Sequence, residues 1–261
     1  MRPVRRDGLG AALVLVGLLV VGAAAVVVVS SSSGQSSRER SLPAPPRSAF
    51  TPVNVPLGRR PVAYWAPVTV ATTARVGPAQ PEVVAEVPAR TPEGTQNIVL
   101  VPGPAVRSGG ELWVRVRLPG LPDDVRGWVP RSALGGYTGV RTRLLVDRAR
   151  LTATLWRDGR RVFHAAVGVG APSTPTPAGH FYVRNQLRKY RSAFYGPVAF
   201  GTSGRSAEAS DWPAGGFVGI HGTSRPDLIP GRISAGCIRI RNRDVVRLAR
   251  LMRVGTPVRV R

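Results

Sequence analysis

The sequence predicts a mainly β protein with one short helix near its C-terminus, preceded by an apolar N-terminal span. Three observations carry that expectation. Apolar stretches of strand length, separated by Gly, Pro and Asp turns, recur from about residue 60 onward. The period-two alternation of a half-buried strand is plain in Leu112-Trp113-Val114-Arg115-Val116-Arg117-Leu118. Helical spacing shows late in the chain, where Val245, Val246, Leu248, Ala249 and Met252 share one face.

The N-terminal elements come first. Residues 9–29 carry no charge and are built from Leu, Val, Ala and Gly, long enough to cross a bilayer as a helix of roughly 20 residues. Arg2, Arg5 and Arg6 precede them. Flanking arginines stay on the cytoplasmic side, so residues 1–8 are expected inside and the bulk of the chain outside the cell membrane. A cleavable signal peptide is the rival, but its apolar core is usually about 7–15 residues. The longer span favours a retained, single-pass transmembrane anchor, although Ala23-Ala24-Ala25 offers small residues. Arg5-Arg6 lacks the flanking context of a twin-arginine export signal. Residues 30–59, rich in Ser, Pro and Arg, read as an extended linker.

The chain has 261 residues and a formal charge of +23, with Lys189 its sole lysine. Such charge speaks of non-specific partners rather than of fold. Outside the membrane those partners are anionic wall polymers and lipid head groups, and the expected topology disfavours nucleic acid. A solvated arginine-rich surface accounts for the charge equally well. One cysteine and three scattered histidines give no zinc spacing, so neither a metal nor a cofactor is expected.

In residues 60–135 the stretches Val68 to Val70, Val83 to Val87, Ile98 to Val101 and Leu112 to Leu118 give a small β-barrel pattern. Gly127-Trp128-Val129-Pro130, followed by Ala133-Leu134, resembles the close of a bacterial SH3-like domain. That resemblance implies either a wall-binding module or a structural spacer packed on the next domain.

After Gly135-Gly136 the texture changes, and residues 140–261 form the second domain. Arg143 to Val146, Leu151 to Trp156 and Arg161 to Gly168 read as a meander, with Arg157-Asp158-Gly159-Arg160 as a hairpin turn. A strand from His180 to Val183 follows. Arg184 to Gly216 is long, aromatic and Gly-rich without a sustained period, and reads as a binding loop or lid. The strand Phe217 to Ile220 then delivers His221. Asn242 is expected to cap a helix from about Arg243 to Arg253, before a last strand from Pro257 to Val260.

Cys237 has no other cysteine with which to form an internal disulfide, so its thiol is either a buried filler or a reactive group. A thiol attacks a carbonyl as thiolate and needs a neighbour to take its proton, commonly histidine. His221 is the candidate, on a strand joined to that of Cys237 by the loop Ser224 to Ile233. Gly236 lets backbone approach substrate, with amides nearby for an oxyanion. His164 and His180, with no such partner, are expected on strand surfaces.

The pattern His221-Gly222-Thr223, a loop, then Ser234-Ala235-Gly236-Cys237-Ile238-Arg239 resembles the signature of the L,D-transpeptidase family, whose catalytic domain is of the YkuD type. Thr174-Pro175-Thr176-Pro177-Ala178-Gly179-His180-Phe181 resembles a second family segment, and Tyr195-Gly196-Pro197 a third. The resemblance implies a YkuD-like β-sandwich catalytic domain, with Cys237 as nucleophile and His221 as general base and then acid. It implies further that the Gly222 carbonyl orients the imidazole, that Ser234 and Gly236 shape the nucleophile loop, and that the Gly236 and Cys237 amides hold the oxyanion. Arg239, Thr223 and Tyr195 are implied at the substrate, Arg239 meeting a carboxylate or bracing the site. Ala235 and Arg239 depart from members that carry histidine and asparagine there, which bears on donor preference.

The implied reaction joins peptidoglycan stem peptides, donor to acceptor, in a 3→3 cross-link through a cysteine thioester, with release of D-alanine. Acylation of Cys237 by carbapenem-type β-lactams is implied as well. Water as acceptor makes the same chain an L,D-carboxypeptidase. A non-catalytic wall-binding or tethering protein, led by the SH3-like segment, is the reading from another class.

Overall fold

The computed structural model describes residues 61–120, 123–188, 192–207, 212 and 215–261. The expected cytoplasmic end, anchor and linker, residues 1–8, 9–29 and 30–59, lie outside them. Among the described residues no helix is long and apolar enough to cross a membrane.

The first sheet contains β1 (Ala63–Pro67), β2 (Thr72–Arg75), β3 (Val83–Val87), β4 (Ile98–Leu100), β5 (Ala105–Ser108), β6 (Glu111–Arg117), β7 (Arg126–Pro130) and β8 (Thr138–Val140). Its order is β3-β2-β7-β6-β4-β1-β8, with β5 paired to β6. The alternation read at 112–118 is realised from Val114 onward, with Val114, Val116 and Leu118 buried and Arg115 exposed; at the start of β6 it breaks, since Leu112 is exposed and Trp113 is buried. Val114, Val116 and Leu118 join Ala66, Val68, Val99 and Val129 in one apolar cluster. The expected strand at Val68 to Val70 is not formed: β1 ends at Pro67, and Val68 makes an isolated bridge to Leu134.

The second sheet contains β9 (Thr142–Asp147), β10 (Thr152–Arg157), β11 (Arg160–Gly170), β12 (Gly179–Arg188), β13 (Val198–Arg205), β14 (Phe217–His221), β15 (Gly231–Ser234), β16 (Ile238–Ile240) and β17 (Pro257–Val260). Its order is β10-β9-β17-β12-β13-β14-β16-β11-β15, closed by a further pairing of β10 with β11. Two long strands turn this closed sheet into two layers. The first part of β11 pairs with β10 and its end lies against β16 and β15. Likewise β12 pairs first with β17 and then with β13. Strands that switch partners in this way make the corners of a sandwich.

Leu144, Leu155, Phe163, Val167, Phe200, Ile220 and Ile240 fill the space between the layers. The one α-helix, α1 (Asn242–Leu251), closes it with Val245 and Leu248, both fully buried. Side chains of this kind stabilise the fold by about 1.5–3 kcal/mol each when removed from water. The hairpin turn falls where the sequence put it, with Asp158 at φ +55° and Gly159 at φ +79°, the double positive φ of a type I′ turn.

Three expectations about this domain are corrected. Arg184 to Gly216 is not one long loop: it holds the end of β12 and all of β13. Seven of the eight residues of β13 are buried, so no alternation marks it, and its Gly, Ser and Thr conceal its burial from a hydrophobicity reading. The loop Ser224 to Ile233 contains a 3₁₀ turn, Pro226–Leu228, and most of β15. Asn242 does not cap α1 but is its first residue. The cap position is Arg241, without a side-chain hydrogen bond.

The two sheets belong to one compact unit. Tyr182 of β12 packs with Ile98 and Leu100 of β4, and partly buried Trp65 and Val254 border them.

Candidate active site

Strands β14 and β16 run parallel and adjacent, with Ile220 opposite Ile238 and His221 opposite Arg239. Cys237 immediately precedes β16, which brings its sulfur level with Gly219: the Gly219 amide donates to Cys237 Sγ at 3.3 Å. Gly219 is required there by close approach. A Cβ at that position would lie 2.3 Å from the Trp212 ring, well inside van der Waals contact.

Side chains both near and far in sequence hold the turn that carries the cysteine. Ser234 Oγ donates to the Cys237 carbonyl at 2.6 Å. Thr176 Oγ1 donates to the Gly236 carbonyl at 2.8 Å and accepts from the Gly170 amide at 2.8 Å. Thr174 Oγ1 donates to the Ser234 carbonyl at 3.1 Å. Gly236 itself sits at φ +109°, a conformation open to glycine and strained for other residues. The Thr-Pro segment noticed in the sequence is thus the buttress of the cysteine loop.

His221 Nδ1 lies 2.7 Å from the Gly222 carbonyl. A carbonyl only accepts, so Nδ1 carries the hydrogen and Nε2 is the basic nitrogen of the neutral ring. Two aromatic rings confine the imidazole: Tyr195 with centroids 4.9 Å apart at 67°, and Phe194 at 5.7 Å and 32°. The Arg239 guanidinium lies 4.6 Å from the Phe194 centroid, a cation–π contact. Cys237 and His221 are both fully buried, whereas Phe194 is 37% exposed. Phe194 is therefore part of the outer cover of the imidazole.

Asn242 does a job the sequence did not reveal. Its Oδ1 accepts from the Thr223 amide at 2.8 Å and fills the space beside Gly196 and Gly222 that a Cβ on either would enter. Thr223 is itself buried, with Oγ1 accepting from the Arg225 amide at 3.0 Å. Helix α1 thereby fixes the chain just after the histidine.

The sequence profile of the L,D-transpeptidase catalytic domain, YkuD, matches residues 141–260. A protein of Bacillus subtilis strain 168 that bears the name L,D-transpeptidase YkuD is 31% identical over 162 residues, covering 62% of this chain and 84% of its own. The chain belongs to the L,D-transpeptidase family. A like-named protein of Bacillus licheniformis is 34% identical over 118 residues, covering 45% of this chain and 64% of its own. The solved catalytic domain of the E. faecium L,D-transpeptidase is 27% identical, covers 46% of this chain and 96% of its own, and superposes with a TM-score of 0.37.

In this L,D-transpeptidase family member the eight residues singled out from sequence, Cys237, His221, Gly222, Thr223, Ser234, Gly236, Arg239 and Tyr195, gather around the junction of β14 and β16. Phe194, Asn242, Thr176 and Trp212 complete that neighbourhood and were not singled out. Phe194 adjoins the matched Tyr195-Gly196-Pro197 and Thr176 lies within the matched Thr-Pro segment, whereas Asn242 read only as a helix cap and Trp212 stands next to no matched segment. His164 and His180 are exposed on β11 and β12. Among the described residues no group of three or more His, Cys, Asp or Glu is arranged to hold a metal ion.

Proposed function

We propose that this chain is a cysteine-dependent peptidoglycan L,D-transpeptidase that forms 3→3 cross-links. In the first half-reaction His221 Nε2 takes the Cys237 thiol proton as the sulfur attacks the carbonyl of the third residue of a tetrapeptide stem. The amide bond to the terminal D-alanine breaks, and the departing amine takes the proton back from Nε2. In the second half the side-chain amine of a neighbouring stem attacks the thioester and gives a proton to Nε2. The C–S bond breaks and the sulfur is reprotonated. One amide bond is exchanged for another, so no ATP is consumed.

The observation that carries this reading is the pairing of a thiol under an amide donor with an imidazole held in one tautomer on the adjacent strand. An N–H aimed at the sulfur favours negative charge there, and a fixed tautomer presents a ready base. Gly236 and Cys237 amides hold the tetrahedral oxyanion in this reading. The donor stem displaces Phe194 from Arg239, freeing the guanidinium for a stem carboxylate. Tyr195 and Thr223 border the same path.

The unmatched parts of the chain fit a wall enzyme. Residues 9–29 act as a retained single-pass anchor, residues 30–59 as a linker, and residues 60–135 as an SH3-like domain. The catalytic domain faces the wall, where the arginine-rich surface meets anionic polymers.

The test is incubation of the full-length protein in detergent with tetrapeptide muropeptides, followed by mass spectrometry. Dimers linked 3→3 and free D-alanine are expected, and neither from Cys237→Ala. D-Alanine without dimers would instead make water the acceptor.

A further inference from the structure

Glu93 sits in the turn between β3 and β4, far from the cysteine in sequence and on the other sheet. The turn is tied by the Thr91 amide to the Thr95 carbonyl at 2.8 Å and by the Thr91 and Thr95 hydroxyls at 2.8 Å. Its carboxylate enters the second sheet's domain and is buried there: the Glu93 side chain is 3% exposed and that of its ion-pair partner, Arg184 of β12, 2%. Oε1 accepts from Arg184 Nη2 at 3.0 Å and from the Trp212 indole N–H. Oε2 accepts from Asn185 Nδ2 at 3.0 Å. Arg184 Nε donates to the Thr202 carbonyl at 2.8 Å, and the guanidinium lies 3.9 Å from the Phe217 centroid.

Removing both charges from water costs several kcal/mol per ion, and an apolar pair of the same volume is often as stable. Stability alone therefore gives a weak reason for this pair, and what the carboxylate touches gives a better one. Trp212 is 2% exposed and clusters with Ala199, Phe217 and Cys237. It lies against Gly219, whose amide donates to the sulfur, and meets Tyr195 edge-on at 6.1 Å, the ring that confines His221. The indole has one polar atom, and Glu93 holds it.

We propose that Glu93 is a positioning residue for the Cys237 thiol, acting from the first sheet through Trp212. The first sheet is in this respect part of the catalytic unit rather than a separable attachment. Glu93 fixes the indole, the indole fixes β14 at Gly219, and Gly219 sets the hydrogen bond to the sulfur. The inference rests on the reading of Cys237 as nucleophile.

The test uses the full-length protein and the rate of Cys237 alkylation by iodoacetamide as a function of pH, read by intact mass. The chain has one cysteine, so the adduct reports this thiol alone. Glu93→Gln and Trp212→Phe are each expected to raise the midpoint of the pH profile by roughly half a unit or more. The double variant is expected to go no further than the larger single shift, the non-additivity of residues acting in series. An unchanged midpoint in Glu93→Gln, or shifts that add, overturns the proposal. If Glu93→Gln unfolds, Glu93→Gln with Arg184→Met, which leaves no unpaired buried charge, is read in its place by the same criteria. Alkylation reads the thiol without turnover, so failure here counts against Glu93, whereas cross-linking by Cys237→Ala counts against the nucleophile.

Discussion

The Gly222 carbonyl accepts a hydrogen bond from Nδ1 of His221, the residue before it, at 2.7 Å. The acceptor is main chain, so no side-chain substitution removes it. The basic nitrogen on the other side of the ring is removable. His221→Gln retains volume and an amide donor but no base of comparable strength. D-Alanine release is expected to fall by about 10²–10⁴-fold, with the thermal unfolding midpoint little changed. Equal turnover in the variant would remove His221 from the mechanism.

Asn242 ties α1 to the chain after the histidine through the Thr223 amide. Asn242→Ala leaves that amide without its acceptor and opens a gap beside Gly196 and Gly222, at a cost of about 1–3 kcal/mol. Asn242→Asp keeps an acceptor oxygen and is expected to recover most of that loss. Urea unfolding measures both, and equal destabilisation by the two would show that the hydrogen bond is not what Asn242 supplies.

The sequence was most legible where local chemistry is self-sufficient. Asp158-Gly159 names its own turn, the second half of β6 alternates because one face there is wet, and the motifs around His221 and Cys237 carry their order along the chain. It was least legible where long-range pairing decides. Burial of seven of its eight residues erased the periodicity of β13, and β15 exists because β11 offers it an edge. Asn242 looks like a helix cap in isolation, yet the Thr223 amide competes for its oxygen. The Glu93–Arg184 pair spans 91 positions and has no local signature at all.

Phe194 covers the imidazole through contacts with Tyr195 at 5.1 Å, His221 at 5.7 Å and Arg239 at 4.6 Å. Contacts of this kind are worth about 0.5–1.5 kcal/mol each. Phe194→Ala is expected to speed labelling of Cys237 by a bulky maleimide roughly tenfold, followed by intact mass. A rate equal to that of the wild type would mean that the thiol is reached by another path.

Burial alone would raise the Glu93 carboxyl, but the Arg184 guanidinium and the Trp212 hydrogen bond outweigh it and hold it below its ordinary value of 4.5. A carboxyl depressed in the folded state contributes stability that is present above its unfolded value and lost as pH falls through the folded one. The difference in unfolding free energy between wild type and Glu93→Gln is therefore expected to shrink below pH 4.5. Urea titrations from neutral to acid pH measure it. A difference that stays constant into acid contradicts the assignment of that charge.

The most direct measurement is the intact mass of the full-length protein, acid-quenched within the first turnovers on a tetrapeptide stem. The account predicts an adduct equal to the stem minus D-alanine, carried on Cys237 and absent from Cys237→Ala. Release of D-alanine by Cys237→Ala at the wild-type rate, or an adduct on another residue, would contradict it.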